Sequence, residues 1–316
     1  MLEIQLFGAG QVRYHGRELP GFPKQQHGRL FCYLLLNRQY PHARERLAAV
    51  FWEDQPSVTS RTYLRNALWR LRQALQAIDV PVDNYLLVDD DSVSFLTDSP
   101  YTLDVEAFEL ANVACRDVRG QELNIEQAVA LENAVRLYGG ELLEDIYDDW
   151  CLYERERLRL LHLDALSKLL DYHEHHGNYE RGLDYGRIIL QRDPTREKVH
   201  RRMMRLYWLM GNRAEALAQY KRCLQILREE LSIGPMPETE QLYRQMVNNR
   251  FDPTKWPLHH DDLLPERIRQ EEAVYRLVEH ALEKLRHLQA MTDETKAELA
   301  HLEHIISEAL TGIGQA

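Results

Sequence analysis

The chain has 316 residues, with 39 Lys+Arg against 50 Asp+Glu and a formal net charge of −11 at pH 7. Taken whole, that balance argues against a nucleic-acid binder, while the length admits two or three domains with cores of their own. No apolar run approaches the ~18 residues of a membrane span, and the start MLEIQLFG lacks the pattern of a secretory leader, so a cytoplasmic protein without membrane contact is expected.

The charge is unevenly spread. Residues 1–78 carry 11 Lys+Arg and 5 Asp+Glu, a net of +6, and the remainder carries −17. A basic head on an acidic body suits a phosphate-binding module attached to a part that must not bind phosphates. The cysteines Cys32, Cys115, Cys151 and Cys223 are far apart and form no CxxC pair. They read as small buried apolar residues in a reducing compartment.

In chain order, LEIQL alternates apolar and polar residues as a strand does, and GQVRYHGREL reads as two more short strands around a glycine turn. Arg29–Asn37 (RLFCYLLLN) is an apolar helix. Arg44–Trp52 (RERLAAVFW) is a second, with Leu47, Val50 and Phe51 expected to face inward. Ser60–Ile78 is a third, followed by YLLVDDDSVSFL, a hairpin turning at Asp89–Asp91. Strands, three helices and a terminal hairpin predict a winged helix-turn-helix over residues 1–98, in which the third helix enters a DNA major groove.

That third helix has two unlike faces. Leu64, Leu68, Leu71, Leu75 and Ile78 form one narrow apolar stripe, and the residues between them include no acidic side chain. Arginine can donate two hydrogen bonds to guanine, and asparagine or glutamine can pair with an adenine edge. The alternative for the same face is an ordinary solvated cationic surface.

The run LRNALWRLRQAL (Leu64–Leu75) resembles the recognition helix of response-regulator-type (OmpR-type) winged helices. LLVDDDSVSFLTDSPYTLDVEAFE (Leu86–Glu109) is similar to the wing and exit of the antibiotic-regulatory-protein (SARP) family of bacterial activators. Carried over position by position, the resemblance makes Arg65, Asn66, Trp69 and Arg70 candidates for base edges. It makes Lys24, Arg44, Arg61, Arg72 and Gln73 candidates for phosphates, Arg44 with help from a helix N-terminus. Two departures stand out: Trp69 replaces a small or polar residue, and the wing tip Asp89–Asp91 is acidic where related wings are often basic. Three carboxylates beside phosphates would repel, so this wing is not expected to read the minor groove, and as a solvated turn it is not expected to hold a metal.

From Leu103 the pattern is helical, and residues 101–250 are expected to form an all-α domain. Gly177–Asn178 and Gly211–Asn212 lie 34 residues apart, each before an amphipathic stretch. Thirty-four is the tetratricopeptide (TPR) period, in which stacked helix pairs make a superhelix. Ala130–Leu170, with its Tyr147-Asp148-Asp149-Trp150 turn, and Arg192–Tyr243, with REELSIGPMPET, are similar to the opening and close of a bacterial transcriptional activation domain. That resemblance implies a DNA-binding activator that recognises a promoter operator of repeated half-sites, forms a homodimer and recruits RNA polymerase. The cluster His173, His175, His176 has no second ligand group at a recognisable spacing and reads as polar residues at a loop end.

Residues 251–264 read as a proline-containing linker, and residues 265–316 as a helical hairpin of unknown role. An E-x-x-H pair, Glu298 and His301, with His280, His287 and His304 nearby, is weighed there as a metal site and set aside for solvated faces. No GxxxxGK[ST] loop, GxSxG elbow, HExxH helix or Rossmann fingerprint is present, so neither catalytic residues nor a cofactor are expected. The competing reading is a TPR-like protein-interaction scaffold whose winged helix no longer reads DNA.

Overall fold

The computed structural model describes residues 1–252. Strands β1 (Leu2–Gln5), β2 (Gln11–Tyr14) and β3 (Arg17–Glu18) form an antiparallel meander, and Leu2 and Ile4 point inward while Glu3 and Gln5 face out. Helix α1 (Gln26–Leu36) buries nearly its whole length. The bridge strand β4 (His42–Ala43) leads into α2 (Arg44–Phe51), and then α3 runs from Ser57 to Ala77. Strands β5 (Leu86–Val88) and β6 (Ser92–Phe95) form the expected hairpin, with β4 on its other edge.

The winged-helix order is therefore present, with some differences from expectation, among them that α1 starts at Gln26 rather than Arg29. Helix α3 begins at Ser57, three residues earlier than expected, because Pro56 takes the N-cap with its fixed φ of −56°. On α2, Leu47 is buried and Phe51 half-buried, but Val50 is 38% exposed. Eight residues give the helix only one contact stripe, and Leu47 with Ala48 already fills it.

The helical part is joined to the sheet directly. Strand β7 (Tyr101–Leu103) pairs in parallel with β1, so residues read as the approach to a separate body complete the N-terminal sheet. Helix α4 (Asp104–Ala114) follows at once, and then α5 (Ile125–Leu137), whose N-terminus carries a capping box of Asn124 and Gln127. One hydrophobic core takes in Leu2, Ile4, Phe31 and Leu71 together with Phe108, Tyr138, Leu142, Leu143 and Leu158.

Beyond it, α6 (Asp149–His175), α7 (Tyr179–Arg192), α8 (Glu197–Leu209), α9 (Arg213–Leu231) and α10 (Pro237–Val247) pack each on the next. The turns before α7 and α9 are the same structure repeated. Gly177 and Gly211 adopt φ of +73° and +77°, a region glycine enters without a Cβ penalty. The amides of Asn178 and Asn212 each donate 2.8 Å to the carbonyl five residues back, of His173 and Tyr207.

His173 is not a residue of a loop end. It lies on α6, buried, with Nε2 2.9 Å from Glu132 Oε1 of α5. No cluster of metal-ligating side chains occurs among the described residues. All four cysteines are free and buried, as expected. No described helix is long and apolar enough to cross a membrane. Phe251, at the start of the expected linker, is buried with its ring 5.8 Å from that of Trp208. The expected hairpin, with Glu298, His301, His280, His287 and His304, lies outside the described residues.

Candidate nucleic-acid interface

Helix α3 owes its placement to its leucines. Leu64, Leu68, Leu71 and Leu75, with Ile78 just past its end, are all buried, so the opposite side is turned to solvent. At about 100° per residue, the side chains beside this stripe and opposite it can be put in order. Arg61, Arg72 and Arg65 lie on one flank, Trp69, Gln73 and Asn66 cross the crest, and Arg70 stands on the far flank. Gln73, expected among the phosphate candidates, thus stands on the crest, where its amide donates 3.1 Å to Gln76. Trp69 is 63% exposed, a costly position for a large apolar ring without a partner.

Most of the phosphate candidates carry partners of their own. Arg61 Nη2 is 2.5 Å from Glu45 Oε1 of α2, and Arg72 Nη1 is 2.7 Å from Asp83 Oδ1 in the loop after α3. Lys24 Nζ is 2.8 Å from Asp145 Oδ2, and this hydrogen bond and its charge raise the lysine pKa above 10.5. Arg44 opens α2 and donates 3.0 Å to the carbonyl of Asp89 in the wing turn. By contrast, among the described residues Arg65, Asn66 and Arg70 are exposed and make no hydrogen bond or ion pair. Arg70 does act at a distance: burial first, and then its charge, lower the pKa of His27 on α1 below 6.5.

Between the start of α2, the first half of α3 and the wing lies a cleft of about 560 Å³, lined among others by Arg44, Glu45, Arg61, Arg65, Asp90 and Asp91. Three cations and three carboxylates face it. The structure thus brings Arg44, Arg61 and Arg65 together, while Lys24 is held by the helical part instead. Glu45, Asp83 and Asp145 escaped the reading of the sequence. Their partners are 16, 11 and 121 residues away, with no helical periodicity to link them.

The helical part also grips the winged helix at the back of this face. Trp150 at the start of α6 packs edge-on to Tyr33 of α1, with centroids 5.6 Å apart, and lies 5.9 Å from Phe51 of α2. Rings continue from Phe51 to Trp52 and on to Tyr63 of α3. Arg29 of α1 reaches Asp148 at 3.2 Å.

The winged helix is thus continuous with a stack of helices. Residues 103–247 match the family model of the bacterial transcriptional activator domain. The chain is 23% identical over 250 residues to the transcriptional regulatory protein MoaR1 of Mycobacterium tuberculosis, covering 78% of this chain and 79% of MoaR1. It is 25% identical over 249 residues to the regulatory protein AfsR of Streptomyces coelicolor, covering 78% of this chain but 24% of that longer protein. The solved structure of Mycobacterium tuberculosis EmbR in complex with a low-affinity phosphopeptide shares the fold, with a TM-score of 0.60 at 20% identity over 88% of this chain and 70% of that one. Residues 103–247 are thus a bacterial transcriptional activator domain, joined here to an N-terminal winged helix, and the chain as a whole is similar to transcriptional regulatory proteins.

Proposed function

We propose that this regulator binds a promoter operator through α3 and activates transcription by recruiting RNA polymerase. The observation that carries the reading is the exposed side of α3, where Asn66 on the crest and Arg65 and Arg70 on the flanks have no partner among the described residues. Unpaired guanidinium and amide groups on a helix of this kind can meet base edges without first giving up an intramolecular bond. Arg44 and Lys24 set the register on phosphates, with Arg61 and Arg72 beside them held in ion pairs, and Trp69 contacts a sugar or a thymine methyl. The acidic wing turn stays off the minor groove.

The stacked helices act as a TPR-like superhelix that pairs two copies on repeated half-sites and presents a surface to polymerase. Leu110 and Val113 on α4, with Ile125 and Val129 on α5, are 64, 57, 72 and 47% exposed, which supports a role in association.

Selection of bound duplexes from a random pool, followed by titration of the recovered sequence at rising salt, tests the reading. An enriched motif and a steep fall of log K with log salt are expected, since phosphate neutralisation releases counterions. No enrichment and no salt dependence would leave the exposed apolar residues and the charge of −11 in favour of a protein-interaction scaffold.

A further inference from the structure

We propose that Glu45 and Asp83 set the sequence selectivity of this protein, by holding Arg61 and Arg72 in ion pairs on the flank of α3 and so suppressing sequence-independent attraction to DNA phosphates. The inference rests on the DNA-binding reading above and adds to it two residues that oppose binding.

The two pairs have a common design. Each joins an α3 arginine to a carboxylate from outside α3, Glu45 from α2 and Asp83 from the loop beyond Ile78, at 2.5 and 2.7 Å. The carboxylates are 77 and 83% exposed, so water screens the pairs and they contribute little to folding. A stability role therefore does not account for them. Toward a polyanion they matter more, because a phosphate that reaches either guanidinium also comes well within the ~8 Å screening length of its carboxylate. An arginine that brings its own counter-anion adds almost no net charge to the interface, and little of the counterion release that drives non-specific binding.

The base-reading candidates are not held in ion pairs of this kind. Arg65, Asn66 and Arg70 have no hydrogen-bond or ion-pair partner among the described residues. The cleft beside Arg61 shows the same balance on a larger scale, since Asp90 and Asp91 of the wing turn line it together with Arg44 and Arg65. Affinity for any duplex is thereby lowered, and affinity for a duplex that satisfies the unpaired side chains is lowered less. The ratio between the two rises.

The test uses the full chain and two duplexes, one of random sequence and one carrying the selected operator, titrated by fluorescence anisotropy between about 50 and 200 mM salt. The variants are Glu45→Gln, Asp83→Asn, their combination, and Glu45→Asp as the conservative rescue. Glu238→Gln on α10 makes the same change in net charge outside the winged helix. Each neutral variant at Glu45 or Asp83 is expected to steepen the slope of log K against log salt by about one, and to raise random-duplex affinity by about 3–10-fold at the low-salt end. Operator affinity rises less, so specificity falls; Glu45→Asp keeps the wild-type ratio and Glu238→Gln leaves it unchanged. If wild type binds with a salt slope but random-duplex affinity stays constant or drops in Glu45→Gln and Asp83→Asn, the proposal is overturned and the carboxylates instead orient the arginines. An equal gain from Glu238→Gln also overturns it, in favour of net charge. If wild type binds neither duplex, the DNA-binding reading itself fails and takes this inference with it.

Discussion

The carboxylate of Asp104 accepts the backbone amide of Leu6 through both oxygens, at 2.9 and 3.0 Å, and that of Phe7 at 3.0 Å. Strand β1 ends at Gln5, so without Asp104 these two amides would be buried beside the core with no partner. One side chain at the start of α4 thus ties the helical part to the sheet. Asp104→Ala is expected to cost about 2–4 kcal/mol, because an ionised acceptor shared by buried amides is worth more than a neutral one. Urea denaturation followed by circular dichroism measures the cost, and Asp104→Asn should recover roughly half of it through its remaining carbonyl oxygen.

Recognition by α3 predicts a division among its side chains. Arg65→Ala and Arg70→Ala should each lose about 1–3 kcal/mol at the selected operator and little on random DNA. Arg44→Ala should weaken both duplexes alike and reduce the salt slope by about one, as a phosphate contact does. Trp69→Ala should change which bases are preferred at one position while the salt slope stays the same, because an indole neutralises no phosphate. Gel-shift titration on a panel of operator point variants reads all three effects, and equal losses on operator and random DNA for Arg65→Ala would remove it from base reading.

Acid should destabilise the fold through His162. This ring is 1% exposed on α6, stacks 4.0 Å from Tyr138, and has no hydrogen-bond partner on either nitrogen among the described residues. Burial, with a smaller contribution from the charge of Arg192, lowers its pKa from 6.5 to about 3. The folded state keeps the ring neutral, whereas the unfolded chain takes up a proton as pH falls through 6.5. The stability is therefore fully present above that value and is lost progressively between there and about pH 3. From pH 7 to pH 5 the loss from this group is about 2 kcal/mol. From pH 7 to pH 5 the unfolding free energy of wild type should fall by that amount relative to His162→Phe, since phenylalanine keeps the stacking and binds no proton.

Between α6 and α8, Arg202 is buried with Nε 2.8 Å from Glu174, and it also pairs with Asp171; Arg205 reaches Glu174 at 2.8 Å. Arg202→Met would remove a buried counter-charge shared by Asp171 and Glu174, at a cost of about 3–5 kcal/mol. Adding Asp171→Asn, which leaves Glu174 paired with Arg205, should recover much of the loss. Thermal unfolding of the single and double variants measures this, and additive losses would show that the cluster is not coupled.

The sequence by itself determined the order of elements in the winged helix, the buried stripe of α3 and the 34-residue repeat of turns. Each depends on neighbours along the chain: Leu64 to Leu75 share a face because the helix repeats every 3.6 residues, and Gly177 and Gly211 turn because glycine tolerates positive φ. Tertiary structure decided what those elements touch. The pairing of β7 with β1, the grip of Asp104 on Leu6, and the aromatic contact of Trp150 with Tyr33 join residues about 100 apart, and no periodic pattern encodes such contacts. His173 shows the limit plainly. Its sequence neighbours suggested a polar loop end, and Glu132 of another helix made it a buried hydrogen-bonded residue. The same holds for the candidate interface: that α3 is basic was legible, but that Arg61 and Arg72 are paired while Arg65 and Arg70 have no partner among the described residues depends on where Glu45 and Asp83 come to rest in space.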